Sequence, residues 1–229
     1  MEVSLIAHTP EPERTVAAAA RLCYSPDDPQ ALLEGMNEAR ALALLDKLVA
    51  MGHLSPLEHA SFTFSVSGIS RATSHQLVRH RIASYSQRSQ RYVRENDFDY
   101  VMPPSIARQA EARDKFDQLM GTIAGAYAEL ASLVPPEDAR YVLPNACTTA
   151  IVCTFNTRSL YNFFEHRLCR RAQWEIRQVA EKMLEEVRRV APRLFAGAGA
   201  PCEMKGICPE GAMSCGKLKS LGMKKVGPK

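Results

Sequence analysis

Apolar and polar positions along the chain sort into a few short alternating stretches and many helical ones. Residues 2–7 predict a first strand, and Thr9-Pro-Glu-Pro opens a helix at about Glu11 that runs through the alanines Ala17–Ala20, strong helix formers. Ser25-Pro-Asp-Asp-Pro is a turn. A long helical stretch follows from about Gln30 to Met51, with a second boundary near Gly35, and Gly52 ends it. His53–His59 is an irregular loop held by Pro56. Phe62, Phe64 and Val66 then recur with period two, so Ser61–Ser67 is a strand, which Gly68 breaks. Ser70 or Thr73 caps the next helix, on which Gln76, Arg79 and His80 share a face by their spacing.

The second half follows the same logic. Tyr85–Arg94 has no clear period and is loop or broken strand, and Asp97–Pro104 is irregular. One amphipathic helix spans about Ser105 to Leu133 and stops at Pro135-Pro136; Glu137–Tyr141 is at most a short helix. Cys147–Asn156, rich in threonine, valine and isoleucine, is a strand. Helices over about Thr157–Cys169 and Arg171–Val190 complete the body, whose end Gly197 and Gly199 mark. Few strands among many helices indicate an α+β fold: a single domain with a small, mainly antiparallel sheet carrying several packed helices. The domain occupies residues 1–200, and residues 201–229 form a Cys-, Gly- and Lys-rich tail, expected to be flexible.

Charge sharpens this picture locally. The formal net charge is +4, and the tail with its six lysines and two glutamates carries all of it, so residues 1–200 balance to zero. That argues against a general nucleic-acid-binding role. Between Arg71 and Arg94, however, there are six arginines, no lysine and no acid. A solubilising surface mixes signs. An all-arginine strip instead suits an anion with separated negative groups, such as a nucleotide or dinucleotide. No apolar stretch is long enough to span a bilayer and no export signal opens the chain, so the expected location is the cytoplasm. Seven cysteines, an odd number, do not suggest a disulfide framework. Cys202, Cys208 and Cys215 are spaced more widely than zinc ligands usually are, and no metal site is expected.

One segment carries chemistry. Arg79-His80-Arg81, seven residues, then Ser89 resembles the signature of the flavin-dependent thymidylate synthases. The resemblance extends over most of residues 1–191. His53, Ser55-Pro-Leu-Glu58-His59 and the following Phe-Thr-Phe strand look like that family's flavin-contacting loop. Gln76 stands three residues before the Arg-His-Arg run. Arg140, in Ala-Arg-Tyr-Val-Leu-Pro, resembles the second nucleotide-binding arginine. Asn156-Thr-Arg158-Ser-Leu-Tyr-Asn162-Phe-Phe-Glu-His-Arg167 is similar to the second flavin and nucleotide block, and Ala172-Gln-Trp-Glu-Ile176 follows it. The chain departs from the pattern at Ser86 and Gln87, where many relatives have asparagine and glutamate, and at Arg171, where a histidine is frequent.

The resemblance implies reductive methylation of dUMP to dTMP, with 5,10-methylenetetrahydrofolate as carbon donor and NADPH reducing bound FAD. It implies flavin contacts from His53, Ser55, Glu58, Arg79, His80, Arg81, Gln87, Asn156, Arg158 and Asn162. dUMP falls to Gln76, Ser89, Arg91, Arg140 and Arg167, with Arg167 also the electrostatic catalyst and Ser89 binding rather than attacking. It further implies a homotetramer whose sites are shared between subunits. Another flavin-dependent reductase, or a nucleic-acid-binding protein using the arginine strip, are the alternative readings; neither accounts for the block around Arg158–Arg167.

Overall fold

The computed structural model describes residues 1–220; residues 221–229, the end of the expected flexible tail, lie outside the described residues. Four strands, β1 (Glu2–His8), β2 (Ser61–Ser70), β3 (Ser84–Gln87) and β4 (Thr148–Asn156), form one sheet in the order β1-β2-β4-β3. β1 and β2 run antiparallel: Thr9 donates its N–H to Ser61 O at one end (3.0 Å), and Met1 lies beside Gly68 at the other. β4 is antiparallel to β2, with the Thr63 and Thr154 hydroxyls 2.9 Å apart at one end and Arg71 N donating to Cys147 O (3.0 Å) at the other. The α+β class and small antiparallel sheet are thus as the sequence indicates.

Helices in chain order are α1 (Pro12–Leu22), α2 (Pro29–Gly35), α3 (Glu38–Met51), α4 (Arg71–Leu77), α5 (Pro104–Ala107), α6 (Ala110–Leu133), α7 (Pro136–Ala139), α8 (Thr157–Arg167), α9 (Trp174–Val190), α10 (Pro201–Met204) and α11 (Lys217–Ser220). Three expectations change. Gly68 does not break β2: it adopts φ +65°, and the strand continues to Ser70. α4 ends at Leu77, so Arg79 and His80 lie beyond the helix and share no helical face with Gln76. The long helix expected from Ser105 is two, α5 and α6, parted at Arg108-Gln109.

Contacts divide the chain into two compact units. The first comprises Met1–Glu2, Ser65–Arg79 and Tyr85–Val152. Its core gathers Phe98, Met120 and Cys147, with a neighbouring cluster of Tyr127, Ala131 and Ala139 where α6 meets α7. The second comprises Val3–Phe64, His80–Ser84 and the described residues from Cys153 onward. Its core is aromatic: Phe62, Phe64, Phe155, Phe163, Phe164 and Phe195 are all fully buried, each contributing roughly 1.5–3 kcal/mol. Phe62 meets Phe195 edge-on at 5.2 Å.

α8 shows how sequence sets the site. Asn156 caps it, its side-chain oxygen accepting from Ser159 N at 2.8 Å. Leu160, Phe163 and Phe164 recur at three- and four-residue spacing and are buried, which turns Arg158, Asn162 and His166 to the opposite, exposed side. Gln173 caps α9 in the same way, accepting from Glu175 N and Ile176 N.

Residues 201–220 are tied down partly by charge. Lys205 pairs with Glu165 of α8 (3.0 Å), Lys217 with Glu203, and Arg171 reaches both Glu210 (3.6 Å) and Met213 O (3.1 Å). Pro201, Cys202 and Leu218 are buried. Arg171, the departure noted above, is therefore engaged with residues 210–213. Among the described residues no helix is long and apolar enough to cross a membrane.

Candidate active site

Two clusters of the expected residues form, one in each unit. In the second unit, α8 and the loop after α3 come together. Thr157, the first residue of α8, donates both its N–H (2.9 Å) and its hydroxyl (3.2 Å) to Ala60 O. The 3-10 turn Ser55–His59 is thereby fastened to the helix start. Glu58 on that turn accepts from Arg158 Nη1 at 2.5 Å. His53 and Ser55 are exposed on the same segment; Gly52, with φ +71°, ends α3 and turns the chain into it.

At the other end of α8, Arg167 Nε donates to His80 Nε2 at 3.0 Å. His80 packs edge-on against Phe163 at 5.0 Å and lies 6.3 Å from the His166 ring. Burial, then the neighbouring Arg167 charge, push the His80 imidazole down to about 4, against the favourable contact with Asn162. The ring is consequently neutral near pH 7, as an acceptor from a guanidinium must be. Burial also lowers the Arg167 pKa, leaving a half-buried charge that solvent screens less. Arg81, next in sequence to His80, is exposed.

In the first unit, Arg91 donates through Nε (3.0 Å) and Nη2 (2.9 Å) to one carboxylate oxygen of Glu137, whose backbone oxygen accepts from Arg140 Nε at 3.1 Å. One acidic residue therefore holds both expected nucleotide anchors. Ser89 Oγ accepts from Arg91 N (3.2 Å), a local turn. Gln76 Nε2 donates to Ala72 O (3.4 Å), and Arg79 is exposed. Gln87 turns inward: Nε2 donates to Ser74 Oγ (2.8 Å) and Thr149 Oγ1 (3.3 Å), and Arg71 Nη1 approaches the same threonine at 3.5 Å.

The sequence alone did not single out Glu137 or Arg71. Glu137 carried a weak signal, an acid three residues before Arg140 and just after Pro135-Pro136; the pairing with Arg91 spans 46 residues and carried none. No thiol here suits a nucleophile. Burial pushes Cys147 up to about 11 and Cys153 up to about 12. Among the described residues, no three His, Cys, Asp or Glu side chains are grouped to hold a metal ion.

Arg158 and Asn162, a cation and an amide donor of the kinds that suit phosphate and ring oxygens, line a cavity of about 650 Å³. The fold is α+β, with arginines paired to Glu137 in the first unit and a half-buried Arg167 in the second. The comparisons narrow this. The family described as thymidylate synthase complementing protein matches residues 4–193. Flavin-dependent thymidylate synthases of Geobacter sulfurreducens (53% identical, covering 96% of either chain) and Clostridium tetani (48%, covering 99% of this chain and 96% of that one) are similar throughout. That of Pyrococcus abyssi is 43% identical over 92% of this chain and 90% of its own. The chain belongs to the flavin-dependent thymidylate synthase family.

Proposed function

We propose that this chain converts dUMP to dTMP, taking the carbon from 5,10-methylenetetrahydrofolate and reducing equivalents from NADPH through FAD. Family membership together with the Arg167–His80 pair carries the reading. Bound flavin supplies hydride transfer; the protein supplies alignment and charge.

Bond formation at C5 of uracil pushes electron density through the ring, and negative charge builds on a ring oxygen or nitrogen. Arg167 is the group that opposes it, because it is partly desolvated and its Nε is held by His80. A neutral His80 accepts without competing for the charge. Arg91 and Arg140, both held by Glu137, hold the nucleotide phosphate, with Gln76 and the Ser89 hydroxyl positioning the nucleoside. His53, Ser55, Glu58, Asn156, Arg158 and Asn162, joined through Thr157 and Ala60, hold the flavin, with Arg79, His80, Arg81 and Gln87 completing its contacts. The catalytic domain is residues 1–200, with 201–229 appended. The protein works in the cytoplasm as a homotetramer with sites shared between subunits.

The test is tritium release from 5-tritiated dUMP by purified protein supplied with FAD, NADPH and methylenetetrahydrofolate. Release dependent on all three supports the reading. A protein that shows no flavin absorbance after incubation with FAD, and releases no tritium, ends it.

A further inference from the structure

Residues 201–220 return to the end of α8, and four cysteines lie on the two sides of that contact. Cys169 follows α8, and Cys202, Cys208 and Cys215 are on the returning chain. None has a part in the roles above. Three contacts draw these segments together. Arg171, two residues after Cys169, donates to Met213 O at 3.1 Å, two residues before Cys215. Lys217, two residues after Cys215, pairs with Glu203, the neighbour of Cys202. Cys208 Sγ donates to Oγ of Ser214, the neighbour of Cys215, at 3.4 Å.

The four thiols differ in access. Cys202 is buried, Cys169 and Cys208 are partly buried, and Cys215 is exposed. Burial, then Glu203, push the Cys202 thiol up; Lys217 opposes them, and Cys169 and Cys215 are near enough to add to the rise. Cys202 is therefore held as a neutral thiol with two others beside it. An exposed thiol next to a buried one is the arrangement of an attacking and a resolving cysteine. The Lys217–Glu203 pair, one residue from Cys202 and two from Cys215, favours these two as partners over Cys202 with Cys169.

We propose that Cys215 and Cys202 form a site of reversible oxidation by peroxide, closing to a disulfide that fastens α10 to the chain entering α11. The Cys215 sulfur, as thiolate, attacks a peroxide oxygen. The O–O bond breaks, Cys215 becomes a sulfenic acid, and the other oxygen leaves as hydroxide, which takes up the proton that Cys215 gave to solvent. The Cys202 sulfur then attacks the Cys215 sulfur. The S–S bond forms, the S–O bond breaks, and the departing oxygen takes the Cys202 proton and leaves as water. The two sulfurs give up two electrons and the peroxide gains them. A dithiol reverses the bond by exchange. Such a transient bond differs from the structural framework that an odd cysteine count argues against.

The test needs neither flavin nor nucleotide, so its outcome is independent of the functional reading. Full-length protein is reduced, freed of reductant and treated with a small excess of hydrogen peroxide. Aliquots are alkylated over time and their peptides mapped by mass spectrometry. Cys23, an exposed thiol outside this segment, is the internal reference. The expected result is that Cys215 loses its free thiol several-fold faster than Cys23, that a Cys202–Cys215 disulfide accumulates, and that dithiothreitol removes it. Cys202→Ser should leave Cys215 as a sulfenic acid that a dimedone probe labels, and Cys169→Ser should leave the bond intact. Oxidation of Cys215 no faster than of Cys23, or a disulfide formed mainly by another pair, overturns the inference. So does a Cys202→Ser protein that folds but gives no dimedone label on Cys215. Should Cys202→Ser fail to fold, the wild-type peptide map decides alone.

Discussion

Arg167 Nε donates to His80 Nε2 across 3.0 Å, joining the end of α8 to the middle of the Arg-His-Arg run 87 residues earlier. The bond fixes the plane of the guanidinium through a group that carries no charge of its own.

Removing the guanidinium is expected to cost turnover and little else. Arg167→Ala should assemble and retain flavin while dTMP synthesis falls roughly a hundred- to a thousandfold. Lysine should rescue only in part, since one ammonium cannot both engage His80 and present a planar fork. Flavin reduction by NADPH and reoxidation by folate plus dUMP are measured separately. Turnover near wild type, or a defect confined to flavin retention, contradicts the assignment.

His80 predicts a pH signature. Its folded value, about 4, lies below the ordinary histidine value of 6.5, so the unfolded chain binds this proton first. The stability present above pH 6.5 is therefore lost as pH falls toward 4, and no further loss from this group follows below that. His80→Gln should flatten that part of a plot of urea midpoint against pH. The imidazole carbon-bound protons should show no titration between pH 8 and 5.5 by NMR; a midpoint near 6.5 would contradict the burial argument.

How much of this could be seen in the sequence depends on the range of the interaction. The alternation of Phe62, Phe64 and Val66 and the two-sided pattern of α8 are local, and both predicted their elements correctly. Gly68 misled because a glycine at positive φ can be absorbed within a paired strand as well as end one. The end of α4 at Leu77 has no proline or glycine to announce it. The contacts that assemble the clusters, Glu137 with Arg91, Glu58 with Arg158 and Lys205 with Glu165, depend on how distant elements dock, which no local pattern encodes.

Gln87 is chosen for its donors. Ser74 Oγ already donates to Arg71 O (2.9 Å), so it meets Gln87 as an acceptor. Gln87→Glu would set a carboxylate against that oxygen and force the hydroxyls to turn. A loss of about 1–3 kcal/mol is expected by urea unfolding, with an unchanged urea midpoint as the contrary result.

Arg91→Ala separates binding from stability. Its pair with Glu137 is half exposed, so less than about 1 kcal/mol of folding free energy should disappear. The dUMP Kd should nevertheless rise roughly ten- to a hundredfold with loss of a charge-assisted phosphate contact, and binding should become less sensitive to salt. Calorimetry at two ionic strengths checks both.

Ser89→Ala should keep measurable dTMP synthesis and weaken dUMP binding by about 0.5–1.5 kcal/mol. The hydroxyl oxygen is engaged as an acceptor from Arg91 N, a backbone contact that does not activate it for attack. Complete inactivity together with a trapped nucleotide adduct on Ser89 would reverse this.

The two hydrogen bonds from Thr157 to Ala60 O make the turn bearing Glu58 and the helix bearing Arg158 and Asn162 move as one piece. Their conformational entropy is surrendered during folding, before any ligand arrives. Whatever docks against them then meets a surface already set, so its association should be fast, with no slow ordering phase in stopped-flow traces, and its affinity should be little reduced by loop closure.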